Sequence, residues 1–256
     1  MVRASRKFPA FALSLLLLVG PAGCGEDAPV NPVNPGGGNA SSTQLTGSFL
    51  NSSETGLLTV DIETTNLASS FRGVVRDSAV TATAVASLET GSAVVLSGTY
   101  KPGSDSLQLS GQGYSFQGYY WSTAVPPHIE GYYNGPNGAG YFACMPGARS
   151  AVKVLCGHFQ SGSTSTAGRW NVVVAGTTLL GFESPSGDPG VVGFSGTVSG
   201  TGTVRTLAFS TGGDFVFGGT GTWDTSTDHA NGTWATDDDS GTWTADLCPL
   251  SGTGPN

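Results

Sequence analysis

Charge is scarce in this 256-residue chain: Asp, Glu, Lys and Arg together make up 11% of it. A helical protein needs Leu, Ala, Glu and Lys to satisfy propensity and to solvate its outer faces, and these are scarce beyond the first two dozen positions. A helical fold is therefore excluded. Basic residues number ten against eighteen acidic ones, and past the N-terminal segment they are scattered singly, so the clustered positive surface that phosphate backbones require is missing. No nucleic-acid partner is expected. The chain has three histidines, His128, His158 and His229, with no pair at ligand spacing and no Cys-x-x-Cys, which argues against a metal centre. Its many serines form no Gly-x-Ser-x-Gly elbow, and nothing in the pattern supports a pair of hydrolytic carboxylates. The expectation is a non-enzymatic protein without a cofactor.

The one long hydrophobic run is at the start, where Arg3, Arg6 and Lys7 precede an apolar stretch from Phe8 to Val19 that is too short to span a bilayer. Residues 1–23 read as a removable signal peptide. The run ends in Gly20-Pro21-Ala22-Gly23-Cys24, and small residues directly before a Cys resemble the lipobox of bacterial lipoproteins, with Pro21 where that pattern usually has Leu. The resemblance implies that Cys24 is lipidated and that the protein sits on a membrane without crossing it. Gly25 comes next, whereas Asp at that place usually accompanies inner-membrane retention, so the outer membrane is the expected location. Losing Arg3, Arg6 and Lys7 leaves a formal charge of −11. Residues 24–44, rich in Pro, Gly, Asn and Ser, cannot bury a core and read as a flexible tether.

Beyond the tether the chain is Gly, Ser and Thr punctuated by Val and aromatics at alternate positions, which is strand and turn chemistry. It is also written twice. Leu45-Thr46-Gly47-Ser48-Phe49 matches Leu155-Cys156-Gly157-His158-Phe159, Leu96-Ser97-Gly98-Thr99-Tyr100 matches Phe194-Ser195-Gly196-Thr197-Val198, and His128 to Tyr133 lines up with His229 to Trp234. The spacing predicts two all-β units, 45–147 and 150–250, with a tail at 251–256. The second unit divides into about eight short runs separated by turn residues, which favours hairpin-linked antiparallel neighbours.

A meander of eight short strands settles its edges most economically by closing into an up-and-down barrel. The repeated Gly221-Thr222-Trp223, Gly232-Thr233-Trp234 and Gly241-Thr242-Trp243 fit this, since the glycine permits coiling and the ring two residues on can fill the interior. The run Ala167 to Val172, with Thr178 to Ser184 after it, resembles the opening strands of calycin-type barrels, the lipocalin and avidin-like families. The predicted fold is two tandem eight-stranded antiparallel barrels, with one merged barrel or a β-sandwich as the alternative. A membrane-spanning barrel would need strands of about 9 to 11 residues with an apolar outer band, and most runs here are shorter and carry Thr and Ser on the non-aromatic face.

Strand parity sorts the cysteines. Cys156 and Cys248 both lie opposite the Gly-and-ring face of their strands, and barrel closure makes the first and last strands of the second unit neighbours, so a Cys156–Cys248 disulfide is predicted. Cys144 has the other parity and is expected as a buried free thiol, with a Cys144–Cys156 bridge left open.

Two clusters remain. Asp237-Asp238-Asp239, with Asp224 and Asp228 nearby in sequence, suggests calcium, but successive hairpin turns fall at opposite barrel ends, so solvated turns are expected instead. The stronger signal is aromatic: Tyr114, Phe116, Tyr119, Tyr120, Trp121, Tyr132, Tyr133, Tyr141 and Phe142 fall within one short stretch. Consecutive rings must occupy both faces, so one set fills the barrel and the other meets a ligand or the second unit. Tyr119, Trp121, Tyr132 and Tyr133 are the candidate ligand-binding residues. The expected function is an envelope lipoprotein that binds a small molecule or glycan, with a structural or adhesive surface protein or a protease-inhibitor-like barrel as the alternatives.

Overall fold

The computed structural model describes residues 42–63, 80–89, 92–187, 190–211 and 217–248. The expected signal peptide, Cys24, most of the tether and the tail lie outside these residues. Among the described residues there is no helix, and sixteen strands form two separately closed eight-stranded antiparallel barrels. A merged barrel or sandwich is thereby ruled out. The first barrel runs β1 (Ser42–Leu50), β2 (Thr55–Glu63), β3 (Val80–Leu88), β4 (Ala93–Lys101), β5 (Ser106–Gly111), β6 (Tyr114–Trp121), β7 (His128–Gly135) and β8 (Gly138–Pro146). The second repeats the meander as β9 (Val152–Ser161), β10 (Ala167–Ala175), β11 (Thr178–Pro185), β12 (Val192–Ser199), β13 (Val204–Ser210), β14 (Gly218–Asp224), β15 (His229–Ala235) and β16 (Ser240–Leu247). Strand β8 closes onto β1, and β16 onto β9. The matched sequence segments fall on the first, fourth and seventh strands of each barrel.

Strand β1 begins at Ser42, inside the stretch read as tether. Gln44 donates to the Asp61 carboxylate on β2 at 2.9 Å, so these residues are held in the barrel by cross-strand pairing.

The glycines of the repeat have a specific packing role. Interior rings lie directly across from glycine on the neighbouring strand: Phe159 opposite Gly168, Trp170 opposite Gly157, Phe194 opposite Gly181, Phe209 opposite Gly219, Trp234 opposite Gly241 and Trp243 opposite Gly232. The first barrel does the same with Phe49 and Gly56, and with Tyr133 and Gly140. Any β-carbon at these glycines would run into the ring or the neighbouring backbone. The result is an interior filled by aromatic side chains, with Trp170 stacked among Phe194, Phe209 and Trp243 in the second barrel and Phe49, Phe116, Tyr133 and Phe142 in edge-to-face and stacked contact in the first.

Each barrel is latched at one end between its first and last hairpin turns. In the first, Glu54 in the β1–β2 turn accepts from Asn137 in the β7–β8 turn at 2.7 Å and from the Tyr114 phenol at 2.8 Å. In the second, Asp239 in the β15–β16 turn accepts from Ser161 and Ser163 at the β9–β10 turn, at 2.8 and 2.7 Å. Asp239 is thus a turn clamp, and those hydroxyls hold its carboxyl below the usual carboxylate range. Asp224 is bonded to Ser226 within the preceding β14–β15 turn, at the opposite end. No group of three potential ligands converges among the described residues.

The barrels meet through their outer faces. Leu50, Leu57, Ala143 and Met145 of the first pack on Val152, Val154, Val173, Leu180 and Phe182 of the second in a cluster distinct from either interior. Cys156 and Cys248 lie in this layer, outside the second barrel, and are disulfide-bonded with Cα atoms 4.9 Å apart. Cys144 points into the first barrel and is a buried free thiol. Burial pushes it far above the ordinary thiol range.

Candidate functional site

The aromatic stretch divides by parity across β6, β7 and β8. Tyr114, Phe116, Tyr133 and Phe142 point inward and belong to the first barrel's core. Tyr119, Trp121 and Tyr132 point outward and are 51%, 50% and 72% exposed. Tyr133 is therefore separated from the other three candidate residues, because it is the immediate neighbour of Tyr132 and must occupy the opposite face of the strand. Its hydroxyl is buried beside Glu54, and the surrounding burial and the charge of that carboxylate push the phenol up. Tyr133 supports the platform from within the barrel and does not face solvent.

The outward residues form rows across the sheet. Trp121 is paired with His128, Tyr119 with Glu130, and Gln117 with Tyr132, which is paired in turn with Tyr141. Tyr119 and Trp121 are two residues apart on one strand, a separation of roughly 6.7 Å, and Tyr132 stands on the adjacent strand. The rings of Tyr132 and Tyr141 are in edge-to-face contact at 5.9 Å, and Tyr141 in turn meets Phe182 of the second barrel at 5.4 Å. The extra aromatic set is thus shared. Tyr141 packs between the barrels, while Tyr119, Trp121 and Tyr132 are left to solvent.

Two concavities flank this platform. On one side of Tyr132 a groove of about 380 Å³ is lined by Ser97, Gln108, Ser115, Gln117 and Asn134. On the other side is a cleft of about 330 Å³ between β7 and the second barrel, lined by His128, Glu130 and Tyr141 and faced by Leu180, Gly193 and Ser195. A further groove of about 860 Å³ lies on the second barrel's outer face. It presents Thr197, Thr220, Thr233 and Thr242 but no titratable side chain, so it lacks the mix of ring and convergent polar group that marks a small-molecule site.

Sequence alone does not mark His128 and Glu130 as site residues. The signal is present in His128-Ile129-Glu130-Gly131-Tyr132, whose alternation puts His128, Glu130 and Tyr132 on one face once the outward sense of β7 is known. His128 donates through Nδ1 to the Pro126 carbonyl at 2.7 Å, and its Nε2 lies 3.5 Å from the Glu130 carboxylate, which also accepts the Tyr141 phenol. Burial is the largest single influence on His128 and pulls its pKa down, but the Glu130 carboxylate and the Pro126 carbonyl together outweigh it and the net shift is upward. Burial likewise raises Glu130, and its bonds to His128 and Tyr141 overturn that effect to hold it below the usual range. The equivalent His229 of the second barrel is paired with Asp246 at 2.8 Å on an exposed surface, with Trp234 turned inward. Thr233 stands where the first barrel has Tyr132, so among the described residues β15 has no outward tyrosine or tryptophan.

Comparison with known proteins gives no match: no family model, no characterised protein and no solved structure aligns significantly with this chain. The two eight-stranded antiparallel barrels are consistent with a calycin-like architecture.

Proposed function

We propose that the chain is a non-enzymatic envelope lipoprotein, anchored through Cys24, that binds neutral glycan chains on the outer face of its first barrel. The observation that carries this reading is the triangle of Tyr119, Trp121 and Tyr132, exposed on rigid strands next to a groove of amide and hydroxyl side chains. Exposed rings in such numbers are unusual on a monomer surface, and Tyr and Trp suit contacts that are apolar on one side and wet on the other. A sugar ring offers that combination: an apolar C–H face to stack and hydroxyls for Gln117, Asn134 and Gln108. The calycin-like barrels would then act as scaffolds, because rings fill the interiors where lipocalin-type barrels hold their ligands. The filled interiors also favour a second reading, a purely structural or adhesive surface protein.

Affinity electrophoresis through gels containing soluble neutral polysaccharides separates the two. Glycan binding predicts retardation that is lost in Trp121→Ala and Tyr132→Ala without a fall in melting temperature. An adhesive role predicts no retardation by any polysaccharide.

A further inference from the structure

The cleft between the barrels contains a polar cluster that stacking on the platform does not use. Glu130 is held from two sides through a single oxygen, Oε2, by the Tyr141 phenol and by His128 Nε2. His128 is itself fixed by the Pro126 carbonyl. Among the described residues nothing hydrogen-bonds the other oxygen, Oε1, so the cluster presents one oriented carboxylate acceptor at the side of a concavity. Apolar surface from Tyr141 and Leu180 lies beside it, and hydroxyls of Ser195 and Ser210 stand on the second barrel's side. Among the described residues no Lys or Arg lines the cleft.

These groups dictate the chemistry of the occupant. An anionic ligand would meet the Glu130 charge with no compensating Lys or Arg, a costly arrangement in a partly desolvated site. A ligand rich in hydroxyl donors satisfies Oε1 with charge-assisted hydrogen bonds, which are stronger than neutral ones. At about 330 Å³ the cleft is at the small end of ligand sites and suits a single ring. It is bounded on one side by the β6–β7 loop at Val125 and Pro126 and on the other by β11 and β12, so a chain running across Tyr132 meets the second barrel there.

We propose that the inter-barrel cleft is a subsite for the terminal pyranose ring of a neutral glycan, with Glu130 Oε1 accepting its hydroxyls and Tyr141 and Leu180 flanking its apolar face. This rests on the platform reading only for where the rest of the chain lies. Glu130 is then the specificity-determining residue, His128 is a positioning residue that orients it, and acidic sugars are rejected.

The test uses the imidazole NMR signals of the three histidines in the full chain, with methyl glycosides of glucose, mannose, galactose and N-acetylglucosamine as probes and glucuronate as the acidic control. Two variants accompany it. Glu130→Gln removes the charge while keeping the shape. Gly193→Trp fills the cleft from the opposite wall, where a β-carbon meets nothing nearer than the Gly181 carbonyl oxygen at 4.0 Å. The proposal predicts that at least one neutral glycoside shifts His128 while leaving His158 and His229 in place, that glucuronate does not, and that each variant lowers affinity for the matching hexasaccharide about tenfold, Glu130→Gln because its hydrogen bond to the ligand is no longer charge-assisted and Gly193→Trp because the indole occupies the cleft. If no glycoside moves His128 and both variants bind the hexasaccharide as well as wild type, the subsite is wrong, while loss of binding in Trp121→Ala still upholds the platform. A His128 shift with normal binding by Trp121→Ala upholds the cleft and removes the platform. Silence in both measurements refutes both.

Discussion

Asn171 on β10 of the second barrel donates through Nδ2 to the Thr55 hydroxyl of the first at 2.7 Å, in the middle of the apolar layer between the barrels. The same amide reaches Ser48 and the Phe49 carbonyl, and all of these groups are fully or nearly fully buried. A hydrogen-bonded polar tie in an otherwise apolar interface fixes its register, because every sliding or rotated arrangement strands buried polar groups. Here it ties β10 to β1 and to the first residue of β2.

Replacing Asn171 by Ala leaves Ser48, Thr55 and the Phe49 carbonyl without their shared donor. The expected loss is about 1–3 kcal/mol of unfolding free energy, read as a lower midpoint in urea with an unchanged m-value.

The Cys156–Cys248 bridge ties the two ends of the second barrel, 92 residues apart in sequence. In the chain-entropy description a loop of that length contributes about 4–5 kcal/mol. Dithiothreitol, or the Cys156→Ser/Cys248→Ser pair, is expected to lower the melting temperature accordingly. Cys144 should stay unreactive toward a thiol reagent until the chain unfolds, since it is fully enclosed in the first barrel.

Glu183 lies on the interior side of β11 across from Trp170, is 7% exposed, and is pushed by burial from 4.5 to about 7. A carboxyl whose folded pKa is raised binds its proton more tightly in the native state, so its favourable contribution is complete below the unfolded value of 4.5 and is lost as pH rises through about 7. The shift corresponds to about 3 kcal/mol. Glu183→Gln should match wild type near pH 4 and exceed it in stability near pH 8, on the two sides of that window, as measured by urea titrations at both values.

Glycines under rings are expected to tolerate no substitution. At Gly232 a β-carbon would lie 2.6 Å from both the Gly221 Cα and Trp243 Cζ2, and neither backbone nor packed indole can withdraw. Overpacking of this kind costs about 1–3 kcal/mol. Gly232→Ala should show that loss in thermal unfolding, whereas Gly193→Ala, with open space around it, should be close to neutral.

The barrel architecture is legible in the sequence because glycine and ring share one face in most strands of the second unit, most plainly in the Gly-Thr-Trp of β14, β15 and β16, and cross-strand packing then accommodates the observed pairing of Trp243 with Gly232 or Phe194 with Gly181. The disulfide is legible for the same reason, since parity and closure jointly place Cys156 beside Cys248. Alternation does not reveal which way a face points when both faces carry rings, so Tyr133 groups with Tyr132 in sequence and parts from it in space. Nor does it show what covers an outer face: Thr46 and Ser48 are completely buried, and Ser48 meets Asn171 of the second barrel. Alternation puts His128 and Glu130 on one face, but it does not show the wall contributed by the other barrel that turns their surroundings into a cleft.

Of the five tryptophans, Trp170, Trp223, Trp234 and Trp243 are enclosed in the second barrel, and Trp121 alone is half-exposed, on the proposed platform. Acrylamide quenching of intrinsic fluorescence therefore reads Trp121 almost selectively. Titration with neutral hexasaccharides during quenching probes glycan binding at that face without intermediaries. A platform that stacks sugars gives a saturable loss of quenching with at least one of them, absent in Tyr132→Ala. Quenching that is the same with and without every neutral hexasaccharide would contradict glycan binding there.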